Sequence, residues 1–324
     1  MTESDPGALI FPDQQPSLWS PLTPLVLATR ATAHLGLMLP AARTLGALAH
    51  RAVFLRRGFR GYRARPGDVI VSTFPKSGTN WAMQIGQQIA WRGAAEFRHI
   101  HCVVPWPDAP SERVLSLDAV APPSPTGHRI IKTHLGADGT PWDSSTLCVA
   151  VIRDPKEVVV SAYHFVMGLL GLLDRVSPED FVEIFLADAM PWGGWATHAA
   201  GWWALRERDN VQVLEFGAMK RDLPGHVDRL AAAMGVELSA SERAAVLERS
   251  GLPWMKAHDA QFTPVPLPTV RPKERVPMIR RGASGGSGEM LDAAQQGRID
   301  AHCRQGLLDL GCDLPYDAWF GPRG

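Results

Sequence analysis

Val69-Ile-Val-Ser-Thr-Phe-Pro-Lys-Ser-Gly-Thr-Asn-Trp81 is the segment that decides the fold of this chain. It opens with a β-branched run of the kind that forms a strand buried on both faces of a parallel sheet. A loop around Gly78 follows, and apolar side chains then recur at helical spacing at Trp81, Ile85 and Ile89. This order of strand, tight loop and helix predicts an α/β fold.

The loop between this strand and this helix predicts a phosphate cradle. The first N–H groups of a helix have no partner inside the helix, and the helix dipole favours an anion there. Lys76 adds a full positive charge, and Ser77 and Thr79 add hydroxyl groups. Gly78 allows the backbone to approach a ligand closely. The alternative interpretation of so short a motif is a turn that merely joins a strand to a helix.

The cradle departs from the pattern of the P-loop nucleotide triphosphatases, G-x-x-x-x-G-K-[ST], in which the lysine follows the second glycine. Here Lys76 precedes Gly78, and the first glycine of that pattern is missing. The order P-K-S-G-T-x-W at residues 75–81 instead resembles the sulfotransferases that use 3′-phosphoadenylyl sulfate (PAPS), of the cytosolic type. The resemblance implies a P-loop-like, three-layer α/β fold with a central, mainly parallel sheet between helices. We interpret the chain as a bacterial member.

The resemblance also implies a role for the cradle. The backbone N–H groups of the loop and of the first helical turn would hold the 5′-phosphate of PAPS. The lysine would in addition be catalytic, because it would reach the bridging oxygen and stabilise charge on the leaving group. The residues implied to bind the nucleotide here are Lys76, Ser77, Gly78, Thr79, Asn80 and Trp81.

A second strand is predicted at Ile130 and Ile131, and its C-terminal end carries Lys132 and His134. Side chains two apart on a strand point to the same face, and open α/β sheets bind ligands beyond the C-terminal strand ends. The sequence K-T-H-L at residues 132–135 resembles the catalytic segment of the family. It implies that His134 is the general base and that Lys132 stabilises charge. For the histidine alone, a strand-end side chain that meets water is the alternative.

The third anchor begins where the buried run 147–152 ends. Asp154 and Pro155 are a typical N-cap and first residue of a helix. Residues 153–165 resemble the family pattern R-[ND]-P-K-[ED]-x-x-V-S-x-Y-H-F, which implies that Arg153 and Ser161 hold the 3′-phosphate. The guanidinium group suits phosphate because it offers two parallel donors. An arginine paired with a nearby acid is the alternative interpretation.

Two further segments complete the resemblance. The strand predicted at 210–216 ends in Phe216, where the family has a tyrosine that contacts adenine, so a ring is kept and the hydroxyl group is lost. Arg280, Arg281 and Gly282 resemble the R-K-G sequence that closes over the 3′-phosphate in the family. The dimerisation motif of cytosolic members is not recognisable, so the resemblance implies no oligomeric state.

Composition limits the partners and the compartment. The chain has 33 basic and 33 acidic side chains, so no global field favours nucleic acid or an anionic membrane. Four cysteines without a C-x-x-C pair are typical of free thiols in a reducing compartment, and we expect a cytoplasmic enzyme. His99 and His101 share one face if their segment is a strand, but no third metal ligand is evident. The resemblance implies that no metal is required.

Residues 1–60 are expected to form an N-terminal helical extension, and residues 61–324 the sulfotransferase domain. One or two amphipathic helices are predicted in 17–60. They could pack on the domain, or they could lie at a membrane surface, since the segment is rich in arginine. The longest uncharged run, Ser17 to Thr29, is too short to span a bilayer and is interrupted by proline.

The acceptor is less defined than the donor. The proline-rich segment 93–127 is expected to be irregular and to form a lid or a wall of the acceptor site. Residues 178–206 have a helical, tryptophan-rich pattern. Both segments, with Phe165, favour a hydroxyl group on a small or lipophilic molecule as acceptor, and an amine stays open. The competing functions are a P-loop kinase that uses ATP, which needs an acidic magnesium ligand, and a nucleotide-binding module without catalysis.

Overall fold

A computed structural model gives the fold over most of the chain. It describes residues 22–52, 58–110, 114–119, 123–142, 146–264, 267, 270, 276–279 and 285–321. Within these residues four parallel strands form one sheet in the order β2-β1-β3-β4. The strands are β1 Asp68–Thr73, β2 Arg129–Thr133, β3 Leu147–Ile152 and β4 Val211–Glu215. The predicted α/β fold with a parallel sheet is therefore confirmed.

The helices of the described part lie on both faces of this sheet. They are α1 Thr23–His34, α2 Met38–His50, α3 Thr79–Ala90, α4 Pro155–Ala162, α5 Gly168–Leu170, α6 Pro178–Leu186, α7 Trp195–Trp203, α8 Phe216–Arg221, α9 Leu223–Ala233, α10 Ala240–Ser250, α11 Leu252–Ala257, α12 Ala293–Asp309 and α13 Tyr316–Phe320. A π-helical turn, Tyr163–Met167, joins α4 to α5. All six residues of β1 are buried, as expected for a strand that is covered on both faces.

Alternate residues of β1 pack into different layers. Val69 and Val71 join the cluster formed with α3, α9 and α10, whereas Ile70 packs with Trp202 of α7. This alternation follows from the two-residue period of a strand. Because both faces of the sheet are thus covered by helices, the fold has three layers, and a ligand can reach the sheet only at the strand ends.

The register of the sheet aligns the carboxyl ends of β1, β2 and β3. Ser72 of β1 pairs with Thr133 of β2 and with Ala150 of β3. The chain therefore leaves all three strands at the same edge. The phosphate cradle, His134 and Arg153 come next in sequence, so this edge brings them together.

The helical pattern expected across residues 178–206 is interrupted, and that prediction is wrong in its middle. Helix α6 ends at Leu186, and α7 begins at Trp195. Pro191 disfavours helical geometry in the residue before it, and Gly193 adopts a positive φ of 79°. The two helices are thus separate elements, and both pack on helix α12.

The N-terminal segment forms two helices, as predicted, and they pack on the domain. Val26, Ala33 and Ala42 contribute to the same hydrophobic cluster as α4 and α6. The Arg30 guanidinium donates to the carbonyl of Leu170. In the part of the chain that the structure describes, no helix combines the length and hydropathy that crossing a bilayer requires.

Candidate active site

A cavity of about 500 Å³ lies at the carboxyl ends of the strands. It brings together most of the residues that the sequence predicted, from four separate segments. Those in its lining are Lys76, Gly78, Thr79, Asn80, Trp81, Lys132, His134, Arg153, Ser161 and Phe216. Ser77 lies beneath the lining and is fully buried. Arg280, Arg281 and Gly282 lie outside the described residues.

The cradle is a tight turn from β1 into α3. Lys76 and Gly78 have positive φ angles of 69° and 100°, so the chain reverses within a few residues. A Cβ atom at position 78 would lie 2.7 Å from the Phe216 ring, so glycine is required there by space as well as by conformation. No side chain caps the start of α3 within the described structure, and residues 79–81 line the cavity.

Lys76 is held at the centre of the cavity. Its Nζ lies 3.8 Å from the centroid of the Phe165 ring and 3.6 Å from Sδ of Met278. Burial and the nearby charge of Arg153 lower the pKa of Lys76 to about 7. An anion at this place would reverse the shift, because an opposite charge favours the protonated amine.

Lys132 lies against a wall that comes from the segment 93–127. Its Nζ is 3.3 Å from the centroid of the Trp106 ring and 3.5 Å from Nε2 of His101. Burial lowers the pKa of Lys132 to about 7, and the Asp108 carboxylate opposes this shift. The segment 93–127 thus forms part of the cavity wall. The metal interpretation assumed that His99 and His101 share one face of a strand. Instead, His99 caps a 3-10 turn, Ile100–Cys102, and His101 lies within that turn.

His134 is oriented by one backbone contact. Its Nδ1 lies 2.9 Å from the carbonyl oxygen of Thr73, and a carbonyl can only accept, so Nδ1 carries the proton. Nε2 is therefore the acceptor of the ring. Burial and the charge of Lys132 lower the pKa of His134 well below its usual value, which keeps the ring neutral. A neutral imidazole with a free lone pair is what a general base requires.

Arg153 is paired with a nearby acid, as in the alternative interpretation of its motif. Its Nε and Nη2 lie 3.0 and 2.9 Å from Oε2 of Glu157, and Nη1 donates to the carbonyl of Lys76 at 2.8 Å. The guanidinium also lies 4.5 Å from the centroid of the Phe216 ring. The arginine is thus paired with a local acid, and it still lines the cavity.

Asp108 is a residue of the site that the sequence did not reveal. It is fully buried, and its Oδ2 accepts from the backbone N–H of His134 at 2.9 Å. Burial raises the pKa of Asp108, and the facing Lys132 opposes that shift. The residue lies among prolines in an irregular segment, so no periodicity marks it. A buried carboxylate next to the two catalytic candidates points to a positioning and charge-balancing role.

Replacing Asp108 by asparagine is expected to lower kcat/KM by roughly tenfold. The amide oxygen can still accept from His134 N–H, but the negative charge beside Lys132 is lost, so the pKa of Lys132 falls further. The basic limb of the pH profile should therefore move to lower pH by about one unit. Asp118→Asn, at an exposed position of the same segment, is the control. An unshifted profile would make Asp108 merely structural.

Comparison with known proteins shows the family. The model of the sulfotransferase domain matches residues 66–311. Sulfotransferase 1C2 of Oryctolagus cuniculus is 27% identical over 264 residues, which cover 79% of this chain and 88% of that protein. Sulfotransferase 1E1 of Bos taurus is 28% identical over 255 residues, which cover 75% of this chain and 84% of that protein.

Solved structures show the same fold. A retinol dehydratase in complex with retinol and PAP has a TM-score of 0.63 at 20% identity, covering 84% of this chain and 87% of the other. Mouse sulfotransferase SULT7A1 complexed with PAP has a TM-score of 0.61 at 19% identity, covering 83% of this chain and 92% of the other.

The chain belongs to the sulfotransferase domain family. It is a PAPS-dependent sulfotransferase, which transfers the sulfuryl group of PAPS to an acceptor.

The residues present fit this anionic co-substrate. The Ser77 hydroxyl is buried and has no hydrogen-bond partner among the described residues. Lys76 and Lys132 are buried amines whose pKa values are lowered. A phosphate or sulfuryl oxygen would satisfy the hydroxyl group and restore the charge of both amines.

Proposed function

We propose that the acceptor is a lipophilic molecule whose hydroxyl group reaches His134. The supporting observation is the apolar wall of the cavity beyond the lysines, formed by Trp106, Phe165, Leu169 and Met278. A predominantly apolar wall with a few convergent polar groups is typical of sites for small lipophilic ligands. Retinol and androsterone, the ligands of two retinol dehydratase complexes of this fold, have the same character. An amine acceptor is the second candidate.

In the proposed reaction, Nε2 of His134 takes the proton of the acceptor hydroxyl group as its oxygen attacks sulfur. A new O–S bond forms, the bond from sulfur to the bridging oxygen of PAPS breaks, and PAP leaves. Lys76 stabilises the charge that develops on the bridging oxygen, and Lys132 stabilises the sulfuryl oxygens. Positioning and charge stabilisation do most of the work in transfers of this kind.

We assign the nucleotide to the cradle side of the cavity. The 5′-phosphate binds to the N–H groups of residues 77–81, and the 3′-phosphate binds to Arg153 and Ser161, with residues 280–282 as further ligands. Glu157 already accepts hydrogen bonds from Nε and Nη2 of Arg153. The 3′-phosphate would therefore share the guanidinium with Glu157 or displace this carboxylate. Phe216 offers a ring for adenine; the Arg153 guanidinium lies over this ring, and the Trp81 ring contacts it in a T-shaped arrangement.

Calorimetric titration with PAP, ADP and ATP, without magnesium, tests the donor site. We expect tight binding of PAP and weak binding of the other two, because Arg153 and Ser161 recognise a 3′-phosphate that ADP and ATP lack. Preference for ATP would favour a P-loop kinase. Absence of binding to all three would favour a module that has lost its chemistry. Either result would overturn the assignment of the site.

Binding of PAP is expected to weaken as the pH rises from about 7 to about 9. The pKa of Lys76 and that of Lys132 are each about 7 before nucleotide binds, and the bound phosphates raise both. Above pH 7, binding therefore takes up protons, and affinity falls by up to about tenfold per pH unit for each lysine. Titration over this range in two buffers of different ionisation enthalpy measures the uptake. An affinity that does not change with pH would contradict it.

The organisation and the compartment are also proposals. We propose a sulfotransferase domain at 61–324, supported by the family match to 66–311, and an extension at 1–60. We place the enzyme in the cytoplasm, supported by four cysteines that form no disulfide bond in the described structure. Its bacterial origin stays a prediction, because the two relatives compared above are mammalian. We also infer that residues 17–60 contact a membrane surface, through the face of α1 and α2 that points away from the domain.

A further inference from the structure

The helical hairpin α1–α2 exposes an apolar surface. Five leucines on it are between 41% and 71% exposed, although leucine is among the residues most often buried. This leucine face consists of Leu27, Leu35, Leu37, Leu39 and Leu48. Three of the five lie at or near the turn that joins the helices, so the apolar surface is concentrated at the tip of the hairpin.

The opposite side of the hairpin is fixed to the domain. Arg30 donates to the carbonyl of Leu170, and the His50 ring lies 3.0 Å from the carbonyl oxygen of Pro191. Gly46 lies so close to the carbonyl of Ala189 that a Cβ atom could not be accommodated. Because these contacts hold the hairpin in place, the leucine face cannot turn inwards without breaking them.

The part of the sequence that contains the leucine face is basic. Residues 14–67 contain eight arginines and no aspartate or glutamate, in a chain whose total charge is zero. Arg43 and Arg51 are exposed, and they lie at helical spacing with Leu39 and Leu48 on the outer side of α2. Apolar and basic side chains on one helix surface are typical of helices that lie at anionic membrane interfaces.

We propose that the leucine face docks the enzyme on the surface of an anionic lipid bilayer. The leucines enter the interface, and the arginines meet the lipid phosphates and carboxylates. A second copy of the chain is a poorer occupant. Across a two-fold axis the same surface meets itself, so the arginines of one hairpin would face those of the other.

The docked hairpin would lie next to the acceptor end of the cavity. Arg30 binds the carbonyl of Leu170, and the preceding Leu169 lines the cavity together with Phe165. A lipophilic acceptor could then pass from the bilayer to His134 over a short path. This consequence rests on the proposed function, whereas docking itself does not.

Flotation of the full-length protein with vesicles tests the proposal. We expect the protein to float with vesicles of phosphatidylcholine and phosphatidylserine, and much less with phosphatidylcholine alone. Leu35→Ser with Leu37→Ser should weaken partition by roughly tenfold or more, because two leucines no longer enter the interface. Arg43→Gln with Arg51→Gln should weaken it by roughly 30-fold on anionic vesicles.

A matched control is available at the other end of the chain. Leu308 and Leu310 are 68% and 52% exposed, close to the 71% and 51% of Leu35 and Leu37. Leu308→Ser with Leu310→Ser should therefore float like the wild type, although it removes the same exposed apolar surface. Equal loss in both variants would indicate nonspecific adsorption and would overturn the proposal.

Two more readouts separate the remaining outcomes. The first is sedimentation of the protein without lipid. If the wild type is a dimer and the Leu35→Ser, Leu37→Ser variant is not, the leucine face binds a second copy of the chain and the proposal is overturned. PAP binding, measured on each variant, should stay unchanged. If the wild type floats but does not bind PAP, docking stands and the proposed function fails. If it binds PAP but does not float, the opposite holds.

Discussion

Replacing His134 by alanine is expected to lower turnover by roughly 10²–10⁴-fold and to leave PAP affinity unchanged. The ring is fixed by its contact to Thr73, so Nε2 is presented to the cavity as an acceptor. The cradle and Arg153 hold the nucleotide without it. The measurement is single-turnover sulfuryl transfer from PAPS to an acceptor found by screening, with calorimetry of PAP binding on the same protein.

His128→Ala is the matched control for this prediction. His128 lies just before the same strand at its opposite end, where its ring meets Thr126, and it does not line the cavity. Its removal should leave turnover within about twofold of wild type, because the side chain does not reach the cavity. A fully active His134→Ala protein would remove this histidine from the mechanism, and a variant that no longer binds PAP would indicate a role in folding or nucleotide binding.

Replacing Lys76 by methionine is expected to lower kcat by roughly 10²–10³-fold and to weaken PAP binding less. Methionine keeps most of the apolar stem but not the amine that lies over the Phe165 ring, and the carbonyl that accepts from Arg153 stays in place. The positive charge at the bridging oxygen is lost. Since that charge acts mainly as the bond to sulfur breaks, the chemical step should suffer more than binding.

The same variant has a second readout, because the fall of PAP affinity above pH 7 should become shallower once one of the two titrating lysines is gone. Lys256→Met, at an exposed position of α11, is the control and should change neither quantity. If the Lys76→Met protein kept its kcat, a group other than Lys76 would have to stabilise the charge on the leaving group. An unchanged pH dependence would assign the proton uptake to other groups.

The local sequence was sufficient for the elements that carry the site. The run 147–152 forms β3, and Asp154 caps α4 by accepting from the N–H of Lys156, as the pattern indicated. Short motifs also located the cradle, His134 and Arg153, because these residues follow buried strands directly. In a parallel sheet that position by itself brings them to one edge. The helical pattern did not reveal the break at Pro191, because apolar residues continue across the break although the helix does not.

The sequence did not predict which distant residues contact the polar groups of the site. Thr73 lies 61 residues before His134, and Asp108 lies 26 before it, in a segment without periodicity. The Glu157 carboxylate accepts from the N–H of Gly285, which lies 128 residues further along the chain. Such contacts form between elements that are distant along the chain.

By itself, the sequence determined the order of the strands and helices, the chemistry of the donor site and its family, since these depend on local spacing and residue type. The tertiary structure decided which tautomer His134 adopts, why Lys76 and Lys132 have a lowered pKa, and which leucines of the hairpin stay exposed. The physical reason is that protonation and exposure depend on burial and on long-range neighbours, which packing alone brings together.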